Sequence, residues 1–503
     1  MYFSVYTLGC KLNQLESEAI ADSFCREGFT FVPWDSVPRE PSILVINTCT
    51  VTSMADQKAR HIIRKTLRDH PAACLIITGC YAQMDREVIA GLVSEHSSVG
   101  QSPVEQSSGE GERLFVIPGE EKDRILDLPR FLAGAGAAAL PGLVASWLAS
   151  FRKAFPDEQK QGNAAFRFRP ENFASHSRGF LKIQDGCDHR CTYCRVSLAR
   201  GKSRSLDAAE ILQELQSLER RGFAEVVITG VNIMQYRASG FGLSGLLDFL
   251  LKETEKIRIR LSSIEPGGGP GGFSPEQSYK DFAGVLSHPR IRPHFHLSVQ
   301  SGSPAILAKM GRTYTPADIE RSVLLLRSIR EDPFLACDII AGFPGETESE
   351  FEKTRELCEH SGFAWIHAFP FSRRPGTAAY DFPGQVSAKD AVKRVEVLTA
   401  LARKGRQQYL GRWEGKEVEA VVEKRERSKL PGLPSGFVPG LSENYLKLLI
   451  ACGGESMPAP GSLIRCRISP GSGTQRSSGP ENPHFDAWAE RVDSICRGGQ
   501  NVV

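Results

Sequence analysis

The feature that most constrains this chain is a CxxxCxxC run formed by Cys187, Cys191 and Cys194. Each iron of a 4Fe-4S cluster normally takes one cysteine thiolate, so three thiolates can hold three irons and leave the fourth without a protein ligand. An open metal position is typical of reactive sites, whereas structural sites are closed. A structural zinc site is the alternative, but it needs four ligands, and the nearest downstream cysteine is Cys337. We therefore expect a reactive 4Fe-4S cluster here.

Size and composition indicate a globular chain of several domains. With 503 residues, about three domains of roughly 100 to 200 residues are expected. The first residues lack the pattern of a signal peptide, and no stretch approaches the length of an apolar membrane span, so we expect a cytoplasmic protein without a membrane segment. The 13 cysteines then favour metal binding or reduced thiols over a disulfide framework.

Charge is distributed unevenly around the cysteine run. The net charge of +3 does not by itself indicate a nucleic-acid partner, but residues 167–204 contain nine Lys or Arg and three Asp or Glu. A basic rim beside a redox centre fits a polyanionic substrate. A solvated surface is the ordinary alternative for such a charge run.

Residues 1–95 predict an N-terminal α/β domain with a parallel sheet. Strand patterns at residues 2–8, 43–48 and 73–78 alternate with helical patterns at residues 13–28 and 53–70. Cys10, Cys49 and Cys80 each follow a strand, and the carboxyl ends of parallel strands meet at one sheet edge. One strand-end cysteine would be an ordinary core residue, but the shared placement predicts a second three-cysteine cluster site. Cys25 and Cys74 lack this placement, and we expect both in the core.

The middle of the chain predicts a partial (β/α)6 barrel. Residues 96–165 have weak periodicity and are interpreted as a divergent segment and linker, with one possible helix near residues 144–155. Residues 166–400 return to alternating strands and helices, and the motifs fall at strand ends, which form the working face of such barrels. The six strands are expected at residues 179–184, 225–229, 257–262, 294–299, 336–340 and 364–369.

Residues 411–492 predict a small antiparallel β-barrel, followed by a tail at residues 493–503. Its strands are expected at residues 418–424, 445–451 and 462–468, separated by Gly/Pro turns. A turn that contains Lys424, Arg425, Arg427 and Lys429 lies near aromatic residues, a combination that suits nucleic-acid binding, although a solvated hairpin explains the composition nearly as well. The Ser/Gly-rich stretch beyond about residue 470 suggests partial disorder.

Seven motifs, in this order along the chain, resemble those of the radical S-adenosylmethionine methylthiotransferases. They lie at residues 9–16, 47–52, 78–83, 185–194, 296–302, 342–347 and 443–445. The resemblance implies an N-terminal methylthiotransferase domain, a radical barrel and a C-terminal TRAM domain. It also implies two 4Fe-4S clusters, with Cys10, Cys49 and Cys80 on the auxiliary cluster and the CxxxCxxC cysteines on the radical cluster.

The same resemblance implies a site for S-adenosylmethionine and no catalytic residue beyond the cluster ligands. Without the resemblance, a glycine turn at a strand end would usually be only a turn. The residues that the resemblance places around the cofactor are Tyr193, Gly230, Asn232, Ser298, Gln300, Gly342, Phe343, Pro344 and Gly345. Asp338, on an apolar strand, could equally be a satisfied buried carboxylate.

Within this family, Lys11 and Asn13 are closest to the branch that acts on N6-threonylcarbamoyladenosine beside the tRNA anticodon. The implied reaction is methylthiolation of carbon 2 of the adenine. The implied partners are a tRNA anticodon stem-loop, a sulfur donor and a low-potential electron donor such as flavodoxin or ferredoxin. Methylthiolation of isopentenyladenosine or of a ribosomal protein is the alternative, and a non-catalytic iron-sulfur RNA-binding protein is a further one. The divergent residues 94–163 and the glycine-rich residues 267–272 leave the substrate fit open.

Overall fold

The computed structural model describes residues 1–37, 42–97, 113–134, 136, 139–154, 163–268, 276–424, 435–453, 456–470 and 485–494. Its first part is a five-stranded parallel sheet in the order β2-β1-β3-β4-β5. The strands are β1 (Tyr2–Thr7), β2 (Thr30–Phe31), β3 (Ser42–Thr48), β4 (Cys74–Gly79) and β5 (Leu114–Val116). The helices are α1 (Lys11–Arg26), α2 (Ser53–Asp69), α3 (Cys80–Met84), α4 (Arg86–Ser97), α5 (Leu128–Leu132) and α6 (Leu140–Ala154).

The central strands of this sheet are buried on both faces, which explains their continuous apolar sequence. In β4, every residue is buried. One core packs around Phe3 and Ile43 on one face, and a second core packs around Leu44 and Ile77 on the other. The three strands and two helices expected in this region are confirmed. Each expected boundary lies within two residues of the observed one.

Two expectations for this part differ from the structure. The segment interpreted as a linker contributes β5, which pairs with β4, and α6, whose Leu140, Val144 and Trp147 pack into the same core as Phe3. α6 corresponds to the possible helix expected near residues 144–155, whereas β5 was not expected. The expectation of a core position was correct for Cys74, which is buried, and wrong for Cys25, which is exposed in the last turn of α1.

The central part is a partial barrel built from two three-stranded parallel sheets in the orders β10-β9-β6 and β11-β12-β13. Isolated bridges from Ile259 to Ile291 and from Ile264 to Leu297 connect the two sheets. The strands are β6 (Gly179–Lys182), β7 (Gln184–Asp185), β8 (Arg204–Ser205), β9 (Glu225–Thr229), β10 (Arg258–Leu261), β11 (His294–Gln300), β12 (Phe334–Ala341) and β13 (Trp365–Pro370). The six expected strands are confirmed, with the first of them divided into β6 and β7.

Helices cover the outside of this partial barrel, and α14 leads from it to the last part of the chain. They are α7 (Val196–Arg200), α8 (Ala208–Arg220), α9 (Leu243–Lys252), α10 (Glu276–Leu286), α11 (Pro304–Met310), α12 (Pro316–Ile329), α13 (Glu348–Ser361) and α14 (Ala388–Trp413). Across the described residues, no helix combines the length and apolar character needed to cross a bilayer.

The last part is a closed five-stranded barrel in the order β14-β15-β16-β18-β17. The strands are β14 (Glu417–Val422), β15 (Phe437–Ser442), β16 (Lys447–Ala451), β17 (Leu463–Ile468) and β18 (Ala487–Ser494). The expected small β-barrel is confirmed, with one parallel pair, β16 and β18, among antiparallel ones. The sequence did not predict β15, which contains Pro439 and Gly440, or β18, which lies in the stretch expected to be partly disordered. Arg425, Arg427 and Lys429 of the expected basic turn lie outside the described residues.

A buried cluster of charges joins the two barrels. The Glu225 carboxylate, at the start of β9, is fully buried and pairs with Arg260 at 2.7 Å and Arg292 at 2.8 Å. Burial alone would raise the pKa of Glu225, but the two guanidinium groups hold it far below its ordinary value. Arg292 also reaches Glu419 of β14 at 2.7 Å, and Arg260 donates to the Ser442 carbonyl of β15 at 3.1 Å. The cluster therefore fixes how the C-terminal barrel docks.

We expect Glu225→Gln to destabilise the fold by about 3–5 kcal/mol, because it leaves buried arginines without their counter-charge. The matched control is Glu417→Gln, which removes an exposed pair with Arg467 and should cost less than about 1 kcal/mol. Urea unfolding followed by circular dichroism measures both variants. Equal shifts of the two midpoints would contradict a structural role for the Glu225 cluster.

Candidate active site

All six cysteines predicted as cluster ligands line a single cavity of about 800 Å³. The sequence predicted two separate triads, and the structure brings both to the same space. The wall takes residues from all three parts of the chain: Cys10, Lys11, Cys49 and Cys80 from the first, Cys187, Cys191, Cys194, Asn232, Glu265, His294 and His367 from the second, and Tyr445 and Lys447 from the last.

The N-terminal triad lies at the carboxyl edge of the first sheet, as the strand-end argument predicted. Cys10 immediately precedes α1, Cys49 follows β3, and Cys80 is the first residue of α3 after β4. Gly9 and Gly79, which precede two of these cysteines, have φ values of 101° and 102°. A Cβ at Gly9 would meet the Cys49 side chain at 2.5 Å, so these tight turns require glycine.

Two buried asparagines tie the strand ends of this triad together. Asn13 donates to the Leu8 carbonyl at 2.7 Å and the Thr48 carbonyl at 3.0 Å. Asn47 donates back to the Asn13 carbonyl at 3.0 Å. Because each asparagine bridges different strand ends, the pair fixes the spacing of the loops that carry Cys10 and Cys49. Asn13, expected from sequence only to mark the family branch, therefore also has a structural role at the site.

The loop that carries the second triad is held by hydrogen bonds at both ends. Gln184 donates to the Gly186 carbonyl at 2.7 Å and accepts from the Asn232 backbone at 2.9 Å. At the other end, the Thr192 backbone donates to the Met310 carbonyl at 3.0 Å. Gln235 lies 3.5 Å from the Cys187 sulfur. These contacts keep the CxxxCxxC loop in a defined shape above the strand ends.

A cluster of buried charges locks the two triads against each other. Glu16, on α1, is 2% exposed and pairs with Lys122 at 2.5 Å, Arg200 at 3.0 Å and Lys182 at 3.2 Å. Burial would raise the pKa of Glu16, but the three cations hold it well below its ordinary value. Arg200 also donates to Asn13 at 2.9 Å. Since Lys182 and Arg200 belong to the central part, on either side of the CxxxCxxC loop, this cluster joins α1 to the region that carries the second triad.

The chemistry of the six thiols fits iron-sulfur clusters. They are free, and thiolates are the soft ligands that such clusters use. Burial raises the pKa of Cys49 to about 12 and that of Cys191 to about 11, so bound metal must supply the charge that stabilises their thiolates. Within the described residues, no three His, Cys, Asp or Glu side chains converge closely enough for a single metal ion. A four-iron cube is larger than one ion and spreads its ligands further apart.

Five of the nine residues expected around S-adenosylmethionine line this cavity. They are Tyr193, Gly230, Asn232, Ser298 and Gln300. The turn that contains Gly342, Phe343, Pro344 and Gly345 does not line it. Phe343 is fully buried and packs edge-on against Tyr193, with ring centroids 6.4 Å apart, so this turn supports a wall residue from behind. Asp338 is half-buried and lies 3.3 Å from His296.

Glu265, which follows β10, was not among the residues expected at the site. Its buried carboxylate accepts from His189 at 2.8 Å, Asn232 at 3.1 Å and Arg312 at 3.2 Å. Burial would raise the pKa of Glu265, but the hydrogen bond from His189 and the charge of Arg312 lower it. Arg312 in turn lies over the Tyr193 ring at 5.9 Å. Glu265 therefore organises the wall beside the second triad.

The opposite end of the cavity is rich in imidazole and aromatic groups. His294, on β11, stacks on Tyr445 with ring centroids 3.9 Å apart. Tyr445 and Gln300 have positive φ values of 65° and 66°, and such strained backbone often occurs at functional sites. Lys11 also faces this end, where burial and the nearby Arg178 lower its pKa to about 8.

Comparison with known proteins identifies the family of this chain. Residues 181–358 match the model of the Radical SAM superfamily, and residues 2–100 match that of the uncharacterized protein family UPF0004. The threonylcarbamoyladenosine tRNA methylthiotransferase MtaB of Treponema pallidum is 38% identical, over 92% of this chain and 97% of its own length. That of Thermotoga maritima is 32% identical, over 88% and 90%. Among solved structures, the radical S-adenosylmethionine methyltransferase TsrM from Kitasatospora setae has a TM-score of 0.43 and 15% identity, over 75% of this chain and 76% of its own.

The resemblance seen in the motifs is thereby confirmed. Two relatives above 30% identity extend over most of this chain and most of their own length. The chain belongs to the MtaB family of threonylcarbamoyladenosine tRNA methylthiotransferases and is a radical S-adenosylmethionine enzyme.

Proposed function

We propose that this enzyme methylthiolates carbon 2 of N6-threonylcarbamoyladenosine next to the anticodon of tRNA. The observation that carries the proposal is the single cavity shared by two cysteine triads. Enzymes of this family use S-adenosylmethionine and iron-sulfur clusters. The substrate follows the name of the relatives, which are threonylcarbamoyladenosine tRNA methylthiotransferases.

In this proposal, Cys10, Cys49 and Cys80 hold one 4Fe-4S cluster, and the CxxxCxxC cysteines hold the other. When bound, the clusters and S-adenosylmethionine supply a radical that can take hydrogen from an unactivated carbon, and the sulfur and methyl group that replace it. An aromatic C–H bond offers no acidity to a general base, which is why the protein delegates this chemistry to cofactors.

The side chains of the chain itself bind and orient. Asn232 and Tyr193, fixed by Glu265 and Arg312, form the wall where S-adenosylmethionine would lie, and Gly230, Ser298 and Gln300 complete it. Holding the reactants within attack distance is the main contribution that a protein makes to such a reaction. Gly342, Phe343, Pro344 and Gly345 act through the packing of Tyr193.

The far end of the cavity fits a base taken from an RNA loop. An anticodon-loop base is unstacked and can be placed in a pocket between aromatic side chains. Tyr445 and Trp365 supply aromatic surface, and Arg406 and Lys447 supply positive charge near it. Of the basic residues at 167–204, the exposed Arg190, Lys202 and Arg204 would contact the stem-loop backbone, whereas Lys182 and Arg200 are paired with Glu16. A low-potential donor such as flavodoxin or ferredoxin and a separate sulfur donor complete the proposed reaction in the cytoplasm.

We expect the reconstituted protein to contain about eight irons, and a triple alanine variant of either triad to contain about four. The variant at Cys10, Cys49 and Cys80 should still cleave S-adenosylmethionine but should form no methylthio product. Iron and sulfide assays together with chromatography of the cleaved cofactor measure both effects. The matched control is Cys25→Ala, an exposed cysteine outside the cavity, which should retain all the iron. Complete loss of iron from one triple variant would argue against two separate sites.

We expect mass spectrometry of nucleosides to find the 2-methylthio derivative of N6-threonylcarbamoyladenosine after incubation with a stem-loop that carries this base. A stem-loop with isopentenyladenosine, offered under the same conditions, is the matched substrate control and should remain unmodified. Modification of the isopentenyl substrate alone, or of neither RNA, would overturn the proposed substrate. The variant lacking the three CxxxCxxC cysteines provides the background for both reactions.

A further inference from the structure

Lys11 is a cation of the cavity wall whose side chain has no direct ion-pair partner among the described residues, and unlike the similarly unpaired Lys447 it is partly buried. Arg200, Arg312 and Arg406 pair with Glu16, Glu265 and Asp486 respectively. Within the part of the chain that the structure describes, the ammonium group of Lys11 makes no hydrogen bond or ion pair, although the residue is partly buried. Taking an ammonium group out of water without a partner is costly, so the site leaves a positive charge to be neutralised by something that enters the cavity.

The surroundings of Lys11 point to an anion with further polar groups. His294 is 3% exposed, and its Nδ1 atom has no hydrogen-bond partner. His367 accepts from Trp365 at 3.2 Å through Nδ1, which in a neutral ring leaves its Nε2–H free to donate. Two carboxylates act electrostatically on Lys11 without a direct ion pair: Glu225, which pairs with arginines, and Asp338, which lies 3.3 Å from His296. A cation and two imidazoles therefore face the cavity with unused bonding capacity.

The proposed substrate has the complementary chemistry. A threonylcarbamoyl group joins the amino group of threonine to the base through a carbamoyl carbonyl, so the threonine carboxylate and hydroxyl remain free. Resting on the proposed function, we propose that Lys11 determines specificity by forming an ion pair with this carboxylate beside His294 and His367. An isopentenyl group is apolar and would leave the ammonium group unpaired, which disfavours binding of that base.

Two other anions could reach this lysine, and both are less favoured by its position. An RNA phosphate would meet the exposed Lys447 at the same wall before the half-buried Lys11. The carboxylate of S-adenosylmethionine would lie with the methionine portion of that cofactor, beside the second cysteine triad, whereas the electrostatic neighbours of Lys11 include His294, His367 and Asp338 on β11 to β13.

The test compares the binding of three stem-loops by fluorescence anisotropy with the full-length reconstituted protein. One stem-loop carries N6-threonylcarbamoyladenosine, the second its methyl ester, which removes the negative charge, and the third unmodified adenosine. For Lys11→Gln, we expect affinity for the acid to fall about 10- to 100-fold, as for loss of a charged hydrogen bond, and affinity for the ester and adenosine to stay unchanged. Lys11→Arg should retain part of the preference for the acid. Lys58→Gln, an equal charge change on an exposed face of α2, should bind all three like the wild type.

The result is read as the ratio of acid to ester affinity within one preparation, so a change in iron content does not confuse it. Equal loss of affinity for all three RNAs would assign Lys11 to the RNA backbone and overturn the inference. An unchanged ratio of acid to ester affinity would also overturn the inference. The carboxylate of S-adenosylmethionine would then be the anion that Lys11 binds. The proposed function fails separately, when the wild-type enzyme forms no methylthio product on the acid stem-loop.

Discussion

The architecture of the active site depends on the buried ion pairs of Glu16. This carboxylate lies on the helix that begins directly after Cys10, and two of its three cations, Lys182 and Arg200, come from the central barrel. A charge buried this deeply is tolerated only when its partners are in place. Any rotation of the N-terminal sheet away from the barrel would leave several buried charges without partners. The two cysteine triads therefore face the same cavity in one relative orientation.

The junction between the central and C-terminal barrels also depends on a buried carboxylate with cationic partners. Glu225 gathers Arg260 and Arg292, and these arginines extend to β14 and β15. Apolar contacts are non-directional and would allow neighbouring parts to slide, whereas a carboxylate between two guanidinium groups accepts few geometries. We interpret the two clusters as devices that fix orientation. The shape of the cavity depends on both charge clusters, because its wall includes Cys10 of the N-terminal part and Tyr445 of the C-terminal barrel.

Much of the fold and of the candidate site was predictable from sequence, wherever the sequence pattern that indicates it is local. Strand-end placement predicted the N-terminal triad, because parallel strands bring their carboxyl ends to one edge whatever the rest of the chain does. The CxxxCxxC spacing predicted the second triad. The union of the two triads was not predictable, since it rests on pairs such as Glu16 with Lys182 that are far apart in sequence. Likewise, Gly342–Gly345 had the composition of a ligand turn, and only the structure shows that Phe343 of this turn packs against the wall residue Tyr193.

The distribution of charge partners separates architecture from recognition. Glu16, Glu225 and Glu265 each have at least two cationic or hydrogen-bonding partners, so their electrostatics are complete within the protein. Lys11 lies in the same low-dielectric space, where a charge interacts more strongly than in water. Since Lys11 lies partly buried at the cavity wall, an entering anion meets a cation that is already in the site. The contrast between these paired carboxylates and an unpaired ammonium group at the cavity wall is what points to an anionic ligand.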